Sequence, residues 1–206
     1  MLSTFFILLL LLNTTLIGTL ESVDLETLQL INNNRLTTLD IMLYGITATA
    51  YFICALAPVF LYLIGYLRKE IRLKLKACQC MFTLGLTTVL VAALKYSIDR
   101  TRPFISSDMV EQIASAGSPS FPSGHTALTF ATATAIILMF KNALLRGLVL
   151  TWALVVGYSR LALGVHYPSD VLASVVIATT SAAAANYIFL QYQNQLYPLL
   201  ISKRNT

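Results

Sequence analysis

The sequence predicts an all-α fold: a polytopic membrane helical bundle of six transmembrane helices, with a polar site at the extracytoplasmic helix ends. Three observations predict it. The 206 residues are 57% hydrophobic and 11% charged, with a mean hydropathy of +0.74, whereas a soluble domain is about half apolar and a quarter charged. The apolar residues are gathered in long charge-free windows, and about 20 helical residues cross a hydrocarbon core of about 30 Å. The few charges collect at the ends of those windows, where a helix leaves the bilayer. A spanning barrel is disfavoured, because its strands would alternate in short segments.

Residues 1–20 carry no charged side chain and include the run ILLLLL from Ile7 to Leu12. They read as a first span or as a signal peptide. No basic start and no small-residue cleavage site is visible, which favours a retained helix. Glu21 to Asp40 is polar and acidic, with Leu25, Leu28 and Ile31 near helical spacing. It reads either as an amphipathic helix lying in the interface or as a solvated connector. Ile41 to Leu67 is the second span and tolerates Pro58 as a kink. Ala77 to Leu94 is the third span, followed by a long polar connection over residues 96–124. Within it Phe104 to Ser120, with Asp108 and Glu111 in a short helix, borders the site entrance or serves as a plain connector. His125 to Phe140 begins the fourth span, Gly147 to Val165 is the fifth, and Val171 to Ser202 is the sixth. The whole chain, 1–206, reads as a single integral-membrane domain.

Basic residues set the orientation. Arg68, Lys69, Arg72, Lys74, Lys76, Lys141, Arg146, Lys203 and Arg204 fall on one side, nine in all. Arg35, Lys95, Arg100, Arg102 and Arg160 fall on the other, which is five. The positive-inside rule places the nine in the cytoplasm, with both termini inside if residues 1–20 are retained. The net charge of +5 forms no separate basic domain, which argues against nucleic acid as a partner. Cys54, Cys78 and Cys80 all lie in apolar windows and read as small buried hydrophobes. Ser181 to Ala185 is a small-residue patch suited to close packing, within the chain or between chains.

Three polar runs converge on the extracytoplasmic mouth: KYSIDRTRP (Lys95 to Pro103), FPSGHT (Phe121 to Thr126) and SRLALGVHYPSD (Ser159 to Asp170). They contain both histidines of the chain. Lys95 and Arg102, seven residues apart, share a face if the third helix continues to Pro103, and two cations on one face suit an anion with several oxygens. Arg100 points elsewhere on such a helix and reads as a surface charge, with Asp99 as its partner. Pro122, Ser123, Gly124 and His125 open a helix whose unpaired N–H groups make an anion site, with Ser123 as cap or phosphate ligand. Arg160 ends the fifth span, and Asp170 stands in the first turn of the sixth, four residues after His166. A carboxylate beside an imidazole holds one ring nitrogen protonated and leaves the other free as a nucleophile or base. These groups together describe phosphoryl transfer by positioning and charge neutralisation. No carboxylate cluster is present for a catalytic metal pair, so the reaction reads as metal-independent, with no cofactor.

The pattern Lys-x6-Arg-Pro, Pro-Ser-Gly-His, Ser-Arg-x5-His-x3-Asp resembles the three-part signature of the type-2 phosphatidic acid phosphatase superfamily, which also includes vanadium-dependent haloperoxidases. It is matched at every position from Lys95 to Asp170. The six-span layout resembles the membrane branch of bacterial lipid phosphatases. The resemblance implies that His166 attacks phosphorus to form a phosphohistidine, oriented by Asp170, and that His125 protonates the leaving oxygen and then activates water. It implies phosphate binding by Lys95, Arg102, Ser123, the Gly124 N–H and Arg160. It implies hydrolysis of a lipid phosphate or diphosphate monoester at the outer face of the cytoplasmic (inner) membrane. Polyprenyl diphosphate, phosphatidylglycerol phosphate, phosphatidate and lipid A are the candidate substrates. The partners are then the lipid and the bilayer, with no obligatory protein partner. A lipid phosphotransferase would use the same pocket, whereas a non-enzymatic carrier or scramblase leaves His125, His166 and Asp170 without a task. A haloperoxidase would need a soluble vanadate-holding scaffold, and nothing suggests one.

Overall fold

Helices begin and end in this chain where polar punctuation interrupts the apolar windows. A computed structural model describes residues 19–202, with side chains as far as Tyr192. The first-span or signal-peptide expectation, and the closing Lys203 and Arg204, lie outside the described residues. Helix α1 covers 19–33, and a 3-10 turn at Thr37–Leu39 leads into α2, Asp40–Leu67. Helix α3 is Ile71–Ile98, α4 the single turn Pro103–Ser106, and α5 Gly124–Met139. Helices α6, Ala143–Ala162, and α7, Pro168–Ser202, complete the chain, and no strand occurs among the described residues.

Among the described residues four segments are long and apolar enough to cross a membrane: Thr37–Leu67, Ile71–Ser106, Ala143–Ala162 and Pro168–Tyr192. The expectation of six is therefore met only in its coarser form, an all-helical bundle with several spans. Helix α5 is apolar but has only 16 residues, about 24 Å at 1.5 Å per residue. Its brevity follows from its position. It packs against α2, α3, α6 and α7, and it buries Thr126, Ala127, Thr129, Ala131, Thr132, Ala133 and Ala135. Small side chains let neighbouring backbones approach closely where lipid offers no hydrophobic drive between helices. The buried hydroxyls are satisfied locally: Thr129 Oγ1 donates to His125 O at 2.9 Å and Thr132 Oγ1 to Leu128 O at 2.9 Å. Large apolar side chains point outward instead, including Ile41, Phe52, Phe60, Val89, Leu144, Leu172 and Val176. So large an apolar surface belongs against lipid.

At one end of the bundle the α2–α3 turn and the start of α3 carry Arg68, Lys69, Arg72 and Lys74, and the α5–α6 connection and the start of α6 carry Lys141 and Arg146. Lys76 Nζ donates to Met139 O at 2.8 Å and Arg146 Nε to Phe140 O at 2.6 Å, so cations satisfy the carbonyls at the end of α5. Asn142 caps α6 by accepting from Leu145 N at 2.8 Å, which starts that helix earlier than the expected Gly147. Cys54 and Cys80 are buried as expected, but Cys78 is exposed on the outer face of α3. In the small-residue patch Ser181, Ala182 and Ala185 are buried within the chain.

The opposite end is covered by α1 and by the irregular segment 107–123. Of the two readings of residues 21–40, the helix is the one found, over 19–33, and its buried contacts are with the protein. Leu28, fully buried, packs on Val110 and Tyr167. Asn32 donates to Ala162 O at 2.8 Å and accepts from Glu111 N at 2.8 Å. Helix α1 is thus tied to both the loop and the end of α6. The expected helix around Asp108 and Glu111 is absent, since only Pro103–Ser106 is helical there. Asn32 supplies Glu111 N with a side-chain acceptor, and Arg35 Nη2 donates to the Glu111 carboxylate at 2.5 Å.

Gly164 ends α6 with φ +72°, and a Cβ there would lie 2.1 Å from the carbonyl oxygen of Glu111. The left-handed conformation alone costs a non-glycine residue about 1–2 kcal/mol, and the collision adds to it. Gly164→Ala is expected to lower the thermal midpoint of the purified protein in detergent. Gly147→Ala, in the interior of α6 with nothing within 4 Å, should not lower it. Equal midpoints for the two variants would refute this account of the α6–α7 turn.

Candidate active site

The end of α3, the starts of α5 and α7 and the end of α6 meet beneath α1, and each delivers part of one polar cup. Helix α3 stops earlier than its spacing predicts. Asp99 adopts the left-handed conformation, φ 48°, ψ 43°, which a short polar side chain tolerates. Lys95 and Arg102 therefore do not share a helical face. The chain turns after Ile98, and the turn carries Arg102 back to the site.

Arg102 is buried. Its Nη1 donates to Val165 O at 2.6 Å and its Nε to Ser118 O at 2.8 Å. The same Nη1 lies 3.2 Å from His166 Nε2. A guanidinium has no acceptor, so His166 Nε2 must present its lone pair. The proton then sits on Nδ1, which faces Asp170 Oδ2 at 3.3 Å. Two neighbours thus set one tautomer, with the unprotonated nitrogen aimed toward the cations.

Asp170 is completely buried in the first turn of α7. Its Oδ2 also accepts from Ser120 Oγ at 2.5 Å and from Tyr167 N at 3.0 Å. Its Oδ1 accepts from Arg100 Nη1 at 2.7 Å. Arg100 is accordingly no surface charge, and its carboxylate partners are Asp170 and Asp24, not Asp99. The backbone O of Asp170 accepts from Ser123 N at 3.4 Å, which brings the starts of α5 and α7 together.

Ser123 occupies the N-cap of α5 without capping it. Its Oγ pairs with Thr126 Oγ1 at 2.9 Å, and the N–H groups of Gly124 and His125 have no acceptor among the described residues. Open N–H groups at a helix start favour an anion. The His125 ring lies against Tyr51 of α2, with centroids 4.3 Å apart. Arg160, His166, Arg102 and Lys95 are its electrostatic neighbours. Arg160, buried near the end of α6, donates to Thr47 Oγ1 at 3.0 Å, and its Nε has no partner. Lys95 Nζ donates to Pro119 O at 2.5 Å.

Lys95, Arg102 and Arg160 form no ion pair with a carboxylate among the described residues. Buried cations without a counter-ion are unfavourable, each by several kcal/mol after relaxation. Burial also draws the His166 imidazole down to about 4, against the pull of its Asp170 hydrogen bond and with Arg102 adding to the effect. The ring is therefore neutral at pH 7. Among the described residues no three His, Cys, Asp or Glu side chains are placed to hold a metal ion. A cavity of about 700 Å³ lies behind Arg100 and Tyr167, but neither histidine lines it.

All eight residues singled out from the sequence, His166, His125, Asp170, Lys95, Arg102, Ser123, Gly124 and Arg160, gather at this one end of the bundle. Tyr51, Thr47, Ser120 and Asp24 belong to the same neighbourhood and were not singled out. Ser120 lies one residue before the second polar run, a weak signal. Tyr51 and Thr47 sit in an unbroken apolar window, where nothing marks them.

A positively charged cup should be stabilised by an oxyanion. Vanadate at about 100 times its Kd is expected to stabilise the folded protein by about 2.7 kcal/mol. Arg160→Met should melt no lower than the parent without vanadate and should lose most of that increment. A parent midpoint indifferent to vanadate would contradict the reading of these cations as an anion site.

Comparison with known proteins identifies the family and the fold. The family described as the PAP2 superfamily matches residues 76–194. The undecaprenyl-diphosphatase BcrC of Bacillus subtilis is 32% identical over 120 residues, 56% of this chain and 59% of that protein. The chain thus spans less than two thirds of the length of this curated relative. The crystal structure of LpxE from Aquifex aeolicus superposes with a TM-score of 0.68 at 29% identity, over 78% of this chain and 93% of that one. A transmembrane PAP2-type phosphatidylglycerolphosphate phosphatase from Bacillus subtilis superposes with a TM-score of 0.69, over 86% and 88%. At 22% identity it speaks for the fold.

Proposed function

Because the chain belongs to the PAP2 superfamily and is a multi-pass membrane protein, we propose that it is a membrane lipid phosphatase acting through a phosphohistidine. The observation that carries the proposal is the excess of buried positive charge around a neutral, correctly tautomerised His166. Among the described residues the buried Arg102 and Arg160 and the half-buried Lys95 form no ion pair with a carboxylate, and a phosphate supplies the missing negative charge. The substrate is a phosphate or diphosphate monoester of a membrane lipid. Polyprenyl diphosphate is the first to test, because a relative carries that activity in its name.

The reaction follows from the placement of the groups. Lys95, Arg102, Arg160, Ser123 and the Gly124 N–H hold the phosphoryl oxygens. His166 Nε2 attacks the terminal phosphorus while its bond to the leaving oxygen breaks, the lipid oxygen of a monophosphate or the bridging oxygen of a diphosphate. Asp170 keeps the proton on Nδ1 and stabilises the positive charge the ring acquires. His125, protonated once the substrate's negative charge offsets the cations around it, gives its proton to the leaving oxygen. It next takes one from water, whose oxygen attacks phosphorus and breaks the P–N bond. Phosphate and the starting ring are released. The developing charge is met by groups already in place, the source of much enzymatic rate enhancement. No step requires a metal ion or cofactor.

Residues 1–206 form one domain in this proposal, with six spans if residues 1–20 cross the membrane. The excess of basic residues at the far end supports a site on the extracytoplasmic face of the inner membrane and termini in the cytoplasm. A lipid held in the outer leaflet then presents its headgroup sideways to the cup.

Phosphate release by the purified protein from polyprenyl diphosphate, phosphatidylglycerol phosphate, phosphatidate and lipid A tests the proposal. Activity should persist with a chelator present. His166→Ala should lower turnover at least ~10³-fold, about 4 kcal/mol of barrier. Near-parental turnover in a folded His166→Ala variant would remove that residue as nucleophile.

The pH profile gives a further check. His166 attacks only when neutral, and its pKa is depressed to about 4. The acid limb of kcat/KM assigned to it should therefore lie below the ordinary imidazole value of about 6.5. An acid limb at or above that value, measured with a substrate whose phosphate stays fully ionised across the range, would count against a buried neutral ring.

A further inference from the structure

Behind Asp170 lies a second polar network that the phosphate cup does not use. Arg100 Nη1 donates to Asp170 Oδ1 at 2.7 Å and to Ser169 Oγ at 2.7 Å. Arg100 Nη2 donates to Asp24 Oδ2 at 2.7 Å. Asp24, on α1, is itself buried. It accepts from Ser169 N at 2.8 Å and from the Ser169 hydroxyl, so it also anchors the first turn of α7. The Arg100 guanidinium lies over the Tyr167 ring, 3.9 Å from its centroid. Its backbone O accepts from Ser120 N at 2.7 Å, and the Ser120 hydroxyl donates to Asp170 Oδ2.

We propose that Arg100 is a positioning residue for Asp170, and that Asp24 holds Arg100 in turn, so that α1 completes the site. The inference rests on the phosphatase reading. Asp170 can orient His166 only through Oδ2, and rotation of the carboxylate about its Cβ–Cγ bond would break that contact. Its Oδ1 is the lever that prevents rotation, and Arg100 grips it. A fork with separate nitrogens serves two carboxylates at once, which the point charge of lysine does less well. Asp170, Ser169 and Asp24 hold the guanidinium from behind the carboxylate, on the side away from the phosphate cup. Its influence therefore falls on the chemical step and not on substrate binding.

The full-length protein in detergent, with polyprenyl diphosphate and phosphatidate as substrates, provides the test. Arg100→Ala and Asp24→Asn are each expected to lower kcat by about 10- to 100-fold, the usual worth of a group that orients a catalytic ligand. KM should stay within about twofold. Arg100→Lys should recover part of kcat. Because the two residues act in series, Arg100→Ala with Asp24→Asn should be no slower than Arg100→Ala alone. Parental kcat in folded single variants, losses confined to KM, or additive losses in the double variant would overturn the proposal. A second measurement does not depend on turnover. Nitrogen NMR of the His166 ring should report the Nδ1-protonated tautomer in the parent and a disturbed tautomer balance in Arg100→Ala. An unchanged ring would overturn the proposal even in an inactive preparation. A disturbed ring in a protein that hydrolyses none of the lipids would instead sink the phosphatase reading and leave the clasp standing.

Discussion

The carboxylate of Asp170 is the fixed point of this structure. It receives hydrogen bonds from the His166 ring, the Ser120 hydroxyl, the Tyr167 amide and the Arg100 guanidinium. Those donors come from the α6–α7 turn, the long connection before α5 and the end of α3. A fully buried carboxylate is tolerated only when its lone pairs are satisfied and its charge is met. Burial of this one group therefore forces three separate parts of the chain to a single point. The α3 break at Asp99, the left-handed Gly164 and the seating of α1 all serve that convergence.

Around that point the charge is deliberately unbalanced. Arg100 is neutralised by two carboxylates, whereas Lys95, Arg102 and Arg160 have carbonyls, hydroxyls or an imidazole for partners. A structure optimised only for stability would not hold three cations so close together, because each raises the cost of the others. Stability is supplied elsewhere, by the small-residue packing of α5 against its four neighbours and by the apolar faces turned outward. The two tasks are separated along the bundle axis. Packing occupies the middle, and the polar chemistry occupies one end, where helix termini offer unpaired N–H groups.

Much of this was legible in the residues alone. The spans of α2 and α7 follow from unbroken apolar windows, and Ser123 and Asp170 mark helix starts through ordinary terminal preferences. Seven of the eight candidate site residues are strong signals because each is a polar side chain whose presence beside an apolar window needs a reason, and Gly124 is read from its place between Ser123 and His125. Arg100 was misjudged for a specific cause. Its direction was read from a helix extended to Pro103, and the chain leaves the helix at Asp99. Tyr51 and Thr47 escaped notice because a hydroxyl in a long apolar run carries no sign of what it will face. Glu21 to Asp40 left two readings open, since the partners that bury Leu28 and Asn32 lie roughly 80 and 130 residues further on.

By itself the sequence determined what is local or repetitive: that the chain is helical, that it is rich enough in apolar surface to live in lipid, and which side chains are chemically out of place there. Periodicity, composition and motif spacing are properties of neighbouring residues, so they can be read without a fold. The tertiary structure alone decided which nitrogen of His166 is bare, which cations lack a counter-ion and that α1 reaches Asp170 through Arg100. Those are statements about distances between atoms remote in sequence. Only the packing of the helices sets them.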